Sequence, residues 1–288
     1  MIDKPGGWTS HDVVSRVRRI LGERRVGHAG TLDPAAVGVL PIAVGLATRT
    51  VEYLSEADKS YRAEITFGLE TDSADGDGVV IGVARAVTVG EIELRNALGD
   101  FVGPQGQVPP MHSALKVDGK RLYELARAGE EIEVQPRTIT IHAIALVNWA
   151  PPVATVDITC SKGTYVRSIA RDLGRRLGTG AYLSNLVRTS TGPFVLRDAM
   201  RLGELEEFAG RGTDWAQMAF HPDTVLLDRP AVILDPESAL AWIQGKVVAQ
   251  PGCSGTIRVY DDAGNWLGVG TADATSQTIK ADKVVPTE

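Results

Sequence analysis

Apolar residues recur at helical spacing in Val13, Val14, Val17, Ile20 and Leu21, with Arg16, Arg18 and Arg19 largely off that stripe. This pattern predicts an amphipathic helix. Ser10 is a favourable N-cap, Asp12 suits the first turn and Gly22 suits a C-cap. The period changes further on. Tyr61, Ala63, Ile65 and Phe67 alternate with Arg62, Glu64 and Thr66, which predicts a half-buried strand with Tyr61 at its start. A buried strand is expected over residues 40–44, a short helix over 48–54 and an amphipathic helix over 88–101. Strands are expected over 138–149 and 153–160, joined at Pro151-Pro152, and a further strand over 182–188. Between them Val166, Ile169, Ala170, Leu173 and Leu177 share one helical face, closed by Gly178. From about Leu226 short strand-like runs alternate with turn residues, which suggests a small β-rich unit over residues 226–288.

Composition narrows the class without naming a chemistry. The chain has 288 residues, 43 % apolar and 23 % charged, as in an ordinary soluble globular protein. No apolar run approaches the roughly 18 residues that span a bilayer, and no signal-peptide pattern is read at the start. The two cysteines, Cys160 and Cys253, are far apart, which argues for a reducing compartment and against a disulfide scaffold. The expected location is the cytoplasm. A net charge of −6 weighs against a nucleic-acid partner, but distribution can override the total. Lys162, Arg167, Arg171, Arg175, Arg176 and Arg188 face one acid, Asp172, and a second group runs through Arg16, Arg18, Arg19, Arg24 and Arg25. Either group could be a solvated helix face; together they suggest a locally positive surface.

Against this background one stretch stands out, Gly27-His28-Ala29-Gly30-Thr31-Leu32-Asp33-Pro34, continuing to Pro41. Glycines and prolines keep it from being one helix or one long strand. It sets an ionisable Asp33 among small and apolar residues, where a carboxylate is costly to bury without a partner. Competing chemistries lack their motifs. There is no Walker A loop, no H-E-x-x-H, no H-x-E of zinc deaminases and no G-x-S-x-G elbow. The acidic segment over residues 72–78 fails as a calcium loop, because the first Asp and the closing Glu are missing in either register. It reads as a turn between strands. What remains is a carboxylate in a shaped loop, a few aromatics, arginines and no implied metal.

The pattern G-H-x-G-x-L-D-P-x-A-x-G-x-L-P over residues 27–41 resembles the signature of the TruB-type tRNA pseudouridine synthases. Three further blocks resemble the same family, in order and at agreeing spacings over about residues 1–195. They are the opening K-P-x-G-x-T-S from Lys4, the P-x-x-H-S-A-x-K-x-x-G run through Lys116, and S-K-G-T-Y-V-R with G-x-G-A-x-x-x-x-L-x-R over 161–188. The resemblance implies an α+β catalytic domain over residues 1–225, built on a mixed, largely antiparallel twisted sheet. It also implies a thumb-like, RNA-gripping insertion over 108–137 and a PUA-like C-terminal domain over 226–288.

The implied reaction converts the T-loop uridine, position 55 of tRNA, to pseudouridine. The N1–C1′ bond breaks, the uracil turns, and C5 joins C1′, so no cofactor or metal is called for. An ionised Asp could begin this as nucleophile at C1′ or C6, or as base at C2′. The resemblance gives Asp33 that role and Arg167 the partner role, which would lower the pKa of Asp33 by roughly 1–3 units and orient it. Tyr61 matches the tyrosine that stacks on the flipped base, and His28 the histidine that takes the base's place in the RNA loop. Tyr165 and Leu186 are expected to line the pocket, and Lys116 to contact substrate. Lys4 is expected either to touch phosphate or to support the central loop. The implied partner is the T-arm of tRNA, with no membrane, no obligatory protein partner and a monomeric chain. The alternatives are a guide-RNA-directed synthase, an RNA-binding or tRNA-folding module with incidental catalysis and, more distantly, a glycosidase, which normally needs two catalytic carboxyls.

Overall fold

In the computed structural model, residues 1–113, 115–117, 119–127, 132–212 and 214–285 are described. They divide into two compact units, one of Met1–Val13, Gly30–Pro41 and Glu56–Glu204, the other of Val14–Ala29, Ile42–Ser55 and Leu205–Glu288. Among the described residues no helix is long and apolar enough to cross a membrane.

The first unit is built on a sheet of eight strands, β1 (Ile2–Lys4), β2 (Val37–Leu40), β3 (Lys59–Phe67), β4 (Gly103–Gln107), β5 (Arg137–Ala150), β6 (Val153–Cys160), β7 (Ala181–Thr191) and β8 (Phe194–Val195). Their order is β1-β2-β7-β3-β6-β5-β4, with β8 beside β7. All pairings are antiparallel except β7 with β2. The mixed, largely antiparallel α+β architecture expected from the sequence is therefore present. On β3, Tyr61, Ala63, Ile65 and Phe67 are buried, as the alternation predicts. Two helices, α2 (Glu91–Gly99) and α3 (Val166–Arg176), add Leu94, Leu98, Ile169 and Leu173 to the same core. Gly178 closes α3 in the left-handed region.

The helix α1 (Ser10–Leu21) buries Val13, Val14 and Val17, the predicted stripe. Its cap differs from expectation. The Thr9 hydroxyl and Asp12 exchange hydrogen bonds, with the Thr9 N–H donating to Asp12 at 2.9 Å and the Asp12 N–H donating to the Thr9 hydroxyl at 3.1 Å. Ser10 is thereby released for a contact described below. The strand expected over 40–44 is in fact two strands. Pro41, with no N–H to donate, separates β2 from Ile42–Val44, which pairs with Val26–His28 in the second unit.

The second unit contains a five-stranded sheet of β9 (Ala231–Leu234), β10 (Val248–Ala249), β11 (Gly255–Asp261), β12 (Trp266–Asp273) and β13 (Thr278–Val284), ordered β9-β11-β12-β13-β10. The helix α4 (Pro236–Ile243), N-capped by Asp235, places Trp242 fully within its core against Ile257, Val259 and Ile279.

Candidate active site

The loop between Gly30 and Pro34 is fixed to the first unit one residue at a time. The Ser10 hydroxyl accepts from the Leu32 N–H at 2.9 Å and donates to the Leu32 carbonyl at 3.2 Å. The Lys4 ammonium donates to the carbonyls of Pro5, Trp8 and Pro34 at 2.9, 2.6 and 3.0 Å. An ammonium has three protons, and these three carbonyls take them all. Lys4 is fully buried, and burial lowers its pKa to about 8. Of the two roles expected for Lys4, this geometry fits support of the loop. The Asp33 carbonyl accepts from the Ala36 N–H at 3.1 Å, closing a turn that projects the Asp33 side chain outward.

Asp33 meets Arg167 in the first turn of α3. The Arg167 Nε lies 3.0 Å from an Asp33 carboxylate oxygen, and the arginine side chain is only 6 % exposed while that of Asp33 keeps 44 %. The same guanidinium reaches further, to Asp75 at 3.2 Å, the Ser73 carbonyl at 3.3 Å and the His112 carbonyl at 2.9 Å. One arginine thus joins the central loop, the acidic turn and the segment around His112. The surrounding protein raises the pKa of Asp33, Arg167 pulls it down, and the nearby Asp75 charge pushes it up again. The net direction is upward. The sequence-based expectation was of a lowered pKa; the arginine acts in that direction, but desolvation outweighs it.

The entry to α3 is held by Gln107 at the end of β4. Its buried amide donates to the Tyr165 carbonyl at 3.1 Å and accepts from the Tyr165 N–H at 2.8 Å. The fully buried Ser168 donates to the Val108 carbonyl at 2.9 Å. These bonds set Tyr165 at the N-cap of α3 and so aim Arg167 two residues on.

Tyr61 is buried on β3, beside Leu32 and Ala36 in the same core, and burial raises its phenol pKa. Leu186 on β7 stands opposite Ala63, half-buried against that core. Hence Asp33, Arg167 and the segment bearing Tyr165 are joined by direct bonds, and Tyr61 and Leu186 share the core beneath. His28 belongs to the second unit, at the end of Val26–His28, opposite Ile42. Lys116 lies in the short hairpin of Lys116–Val117 with Lys120–Arg121, and its side chain is outside the described structure, as are residues 114, 118 and 128–131 of the expected 108–137 insertion.

Asp75 is the site residue that sequence reasoning missed. The acidic turn is a turn, but its second acid reaches an arginine far along the chain; the concentration of Asp in so short a segment is the available signal. The expected basic stripe over 161–188 also needs correcting. Arg167 and Arg188 are buried, and Arg171, Arg175, Arg176 and Lys162 pair with Asp172, Glu70, Asp100 and Glu56. Acids from elsewhere in the chain neutralise most of that run.

Comparison with known proteins gives a consistent result. Residues 18–166 match the family described as TruB family pseudouridylate synthase (N terminal domain). Residues 167–240 match a tRNA pseudouridylate synthase B C-terminal domain, and 230–285 match pseudouridine synthase II TruB, C-terminal. The chain is 51 % identical over 245 residues to a protein of Symbiobacterium thermophilum named tRNA pseudouridine synthase B, covering 84 % of this chain and 80 % of that one. A protein of the same name from Gloeobacter violaceus is 46 % identical, covering 96 % of this chain and 94 % of its own. Among solved structures, a chain from the crystal structure of a Cbf5-Nop10-Gar1 complex matches with a TM-score of 0.76 and 25 % identity, covering 98 % of this chain and 83 % of that one.

Proposed function

This chain belongs to the TruB family of pseudouridylate synthases, and on that premise we propose that Asp33 is the reacting carboxylate in converting the T-loop uridine, position 55 of tRNA, to pseudouridine. The chain is an enzyme of tRNA pseudouridine formation. The observation that carries the finer reading is the Asp33–Arg167 pair at 3.0 Å, with the arginine buried and the carboxylate still reachable. A carboxylate so held keeps its charge partner on one side and offers its free face to a nucleoside.

Isomerisation requires the N1–C1′ bond to break and the C5–C1′ bond to form, with the C5 proton leaving and N1 taking one up. Asp33 starts this sequence as the attacking or proton-abstracting oxygen. A base inside a folded RNA loop is out of its reach, so the uridine flips out, at a few kcal/mol. Stacking on Tyr61 offsets part of this, since base–aromatic stacking contributes roughly 1–3 kcal/mol. Tyr165 and Leu186 line the base pocket, Lys116 contacts the RNA, and His28 fills the gap the uridine leaves. Lys4 acts indirectly, by holding the loop. The catalytic domain spans residues 1–225, with 108–137 as an arm on the RNA, and residues 226–288 form a PUA-like domain. The enzyme acts as a monomer in the cytoplasm, with no obligatory protein partner and no cofactor.

The test is to incubate the protein with unmodified tRNA transcripts and map pseudouridine by carbodiimide-dependent reverse-transcription stops. The expected result is a T-loop stop with the wild type and none with Asp33→Ala. A stop that survives Asp33→Ala removes Asp33 from the chemistry. Absence of any stop with the wild type on several tRNAs favours an RNA-binding or RNA-folding module.

A further inference from the structure

We propose that Arg188 is a positioning residue for this reaction: its buried guanidinium fixes the peptides that precede Asp33. The proposal rests on the role given above to Asp33.

Arg188 is 1 % exposed, on β7 between β2 and β3, in register with Gly38 on one side and Tyr61 on the other. Its Nε donates to the Val39 carbonyl at 2.7 Å, one Nη to the Thr31 carbonyl at 3.3 Å and the other Nη to the Gly30 carbonyl at 3.1 Å. No carboxylate among the described residues pairs with it. A buried cation without an acid is expensive to keep. A neutral side-chain amide has two N–H donors, whereas the guanidinium fork has five and reaches the loop and β2 together. Gly38 lets the β7 backbone approach β2 at this point: a Cβ there, at φ +100, would lie 2.3 Å from the Arg188 carbonyl oxygen.

The consequence for Asp33 follows from the loop's carbonyls taken one at a time. Those of Gly30 and Thr31 accept from Arg188, that of Leu32 from Ser10, that of Asp33 from Ala36 and that of Pro34 from Lys4. Every peptide oxygen of the loop is held, so the carboxylate has little freedom beyond its own side-chain rotation. Arg188 supplies the two bonds on the N-terminal side.

The experiment compares Arg188→Lys, which keeps the charge but loses the fork, with Arg188→Gln, which loses both, using the full-length protein, tRNA transcript and Asp33→Asn as reference. Both variants are expected to lower kcat about 10²-fold while the KM for tRNA stays within about threefold. The ¹³Cγ resonance of Asp33, assigned by its absence in Asp33→Asn, should shift in both variants. A folded variant with wild-type kcat, or an unmoved Asp33 resonance in both, overturns the proposal. Loss of folding is covered by the wild type itself: its Arg188 Nε–H should be protected from solvent exchange, and free exchange overturns the proposal. Because Asp33→Asn is assayed alongside, active Arg188 variants with a dead Asp33→Asn refute this inference alone. An active Asp33→Asn refutes the reading beneath it.

Discussion

The two sheets of this protein solve the same packing problem with different materials. The five-stranded sheet buries hydrocarbon and indole, among them Val232, Leu234, Ile257, Val259, Leu267 and Trp242. The eight-stranded sheet has an equally apolar core around Ile65, Leu94, Ile158 and Leu173, yet the same unit buries Lys4, Lys59, Arg167 and Arg188. A buried charge is costly even when every proton has an acceptor. Three of these four cations bond the main chain or carboxylate of residues 30–34, and the Lys59 side chain lies beside Gly30. The expense is therefore concentrated beneath one loop, and what that loop presents is Asp33. Where a fold accepts buried cations in one place and avoids them in another, their location marks the chemistry.

The contrast can be broken most severely at Arg167. Arg167→Gln removes the charge beside Asp33 and is expected to lower single-turnover rate about 10³-fold. Its acid limb also moves. Asp33 must be ionised to act, and its pKa already lies above the ordinary carboxylate range. Activity is thus lost as pH falls through that raised value, and removing the arginine shifts the loss to still higher pH. A rate-against-pH profile of both proteins checks the direction.

Trp242→Ala probes the other core. It leaves a large cavity in the second unit and should destabilise that unit by about 3–5 kcal/mol, measured by urea unfolding. The rate per folded molecule should not change, because no charge near Asp33 is altered. A proportionate loss of kcat would mean that the two cores are not separate in function.

Asp75→Asn gives the smallest effect and the most discriminating one. It loosens one arm of the Arg167 clamp, so the maximal rate should fall about tenfold. It also removes a negative charge that raises the pKa of Asp33, so the acid limb should move to lower pH, opposite to Arg167→Gln. Shifts of the same sign in both variants would contradict the electrostatic account.

Local patterning made much of this structure readable. Seven alternating residues are enough to place Tyr61 on a strand, and one apolar stripe is enough to place Arg167 on a helix. The motif around Asp33 points to the loop, and the G-T-Y-V-R block points to its arginine. What local pattern could not supply was tertiary. Pro41 divides an apolar run that looks continuous, because the break lies in a missing N–H rather than in hydropathy. Arg188 looks like one more surface cation until β7 is set between β2 and β3. Asp75 looks like turn chemistry until the turn is brought to a helix 92 residues away. The raised pKa of Asp33 is hidden from local pattern for the same reason: the partner is visible as a residue type, but the crowding around it exists only in the folded chain.

The account stands on Asp33 as the group that starts the isomerisation, and the C5 hydrogen reports on it directly. Joining C5 to C1′ expels that hydrogen, so tRNA carrying tritium at uridine C5 releases the label only as pseudouridine forms. The wild type should release one tritium per T-loop uridine, and folded Asp33→Asn none above background while still binding the tRNA. Release by Asp33→Asn within about tenfold of the wild-type rate would contradict the account.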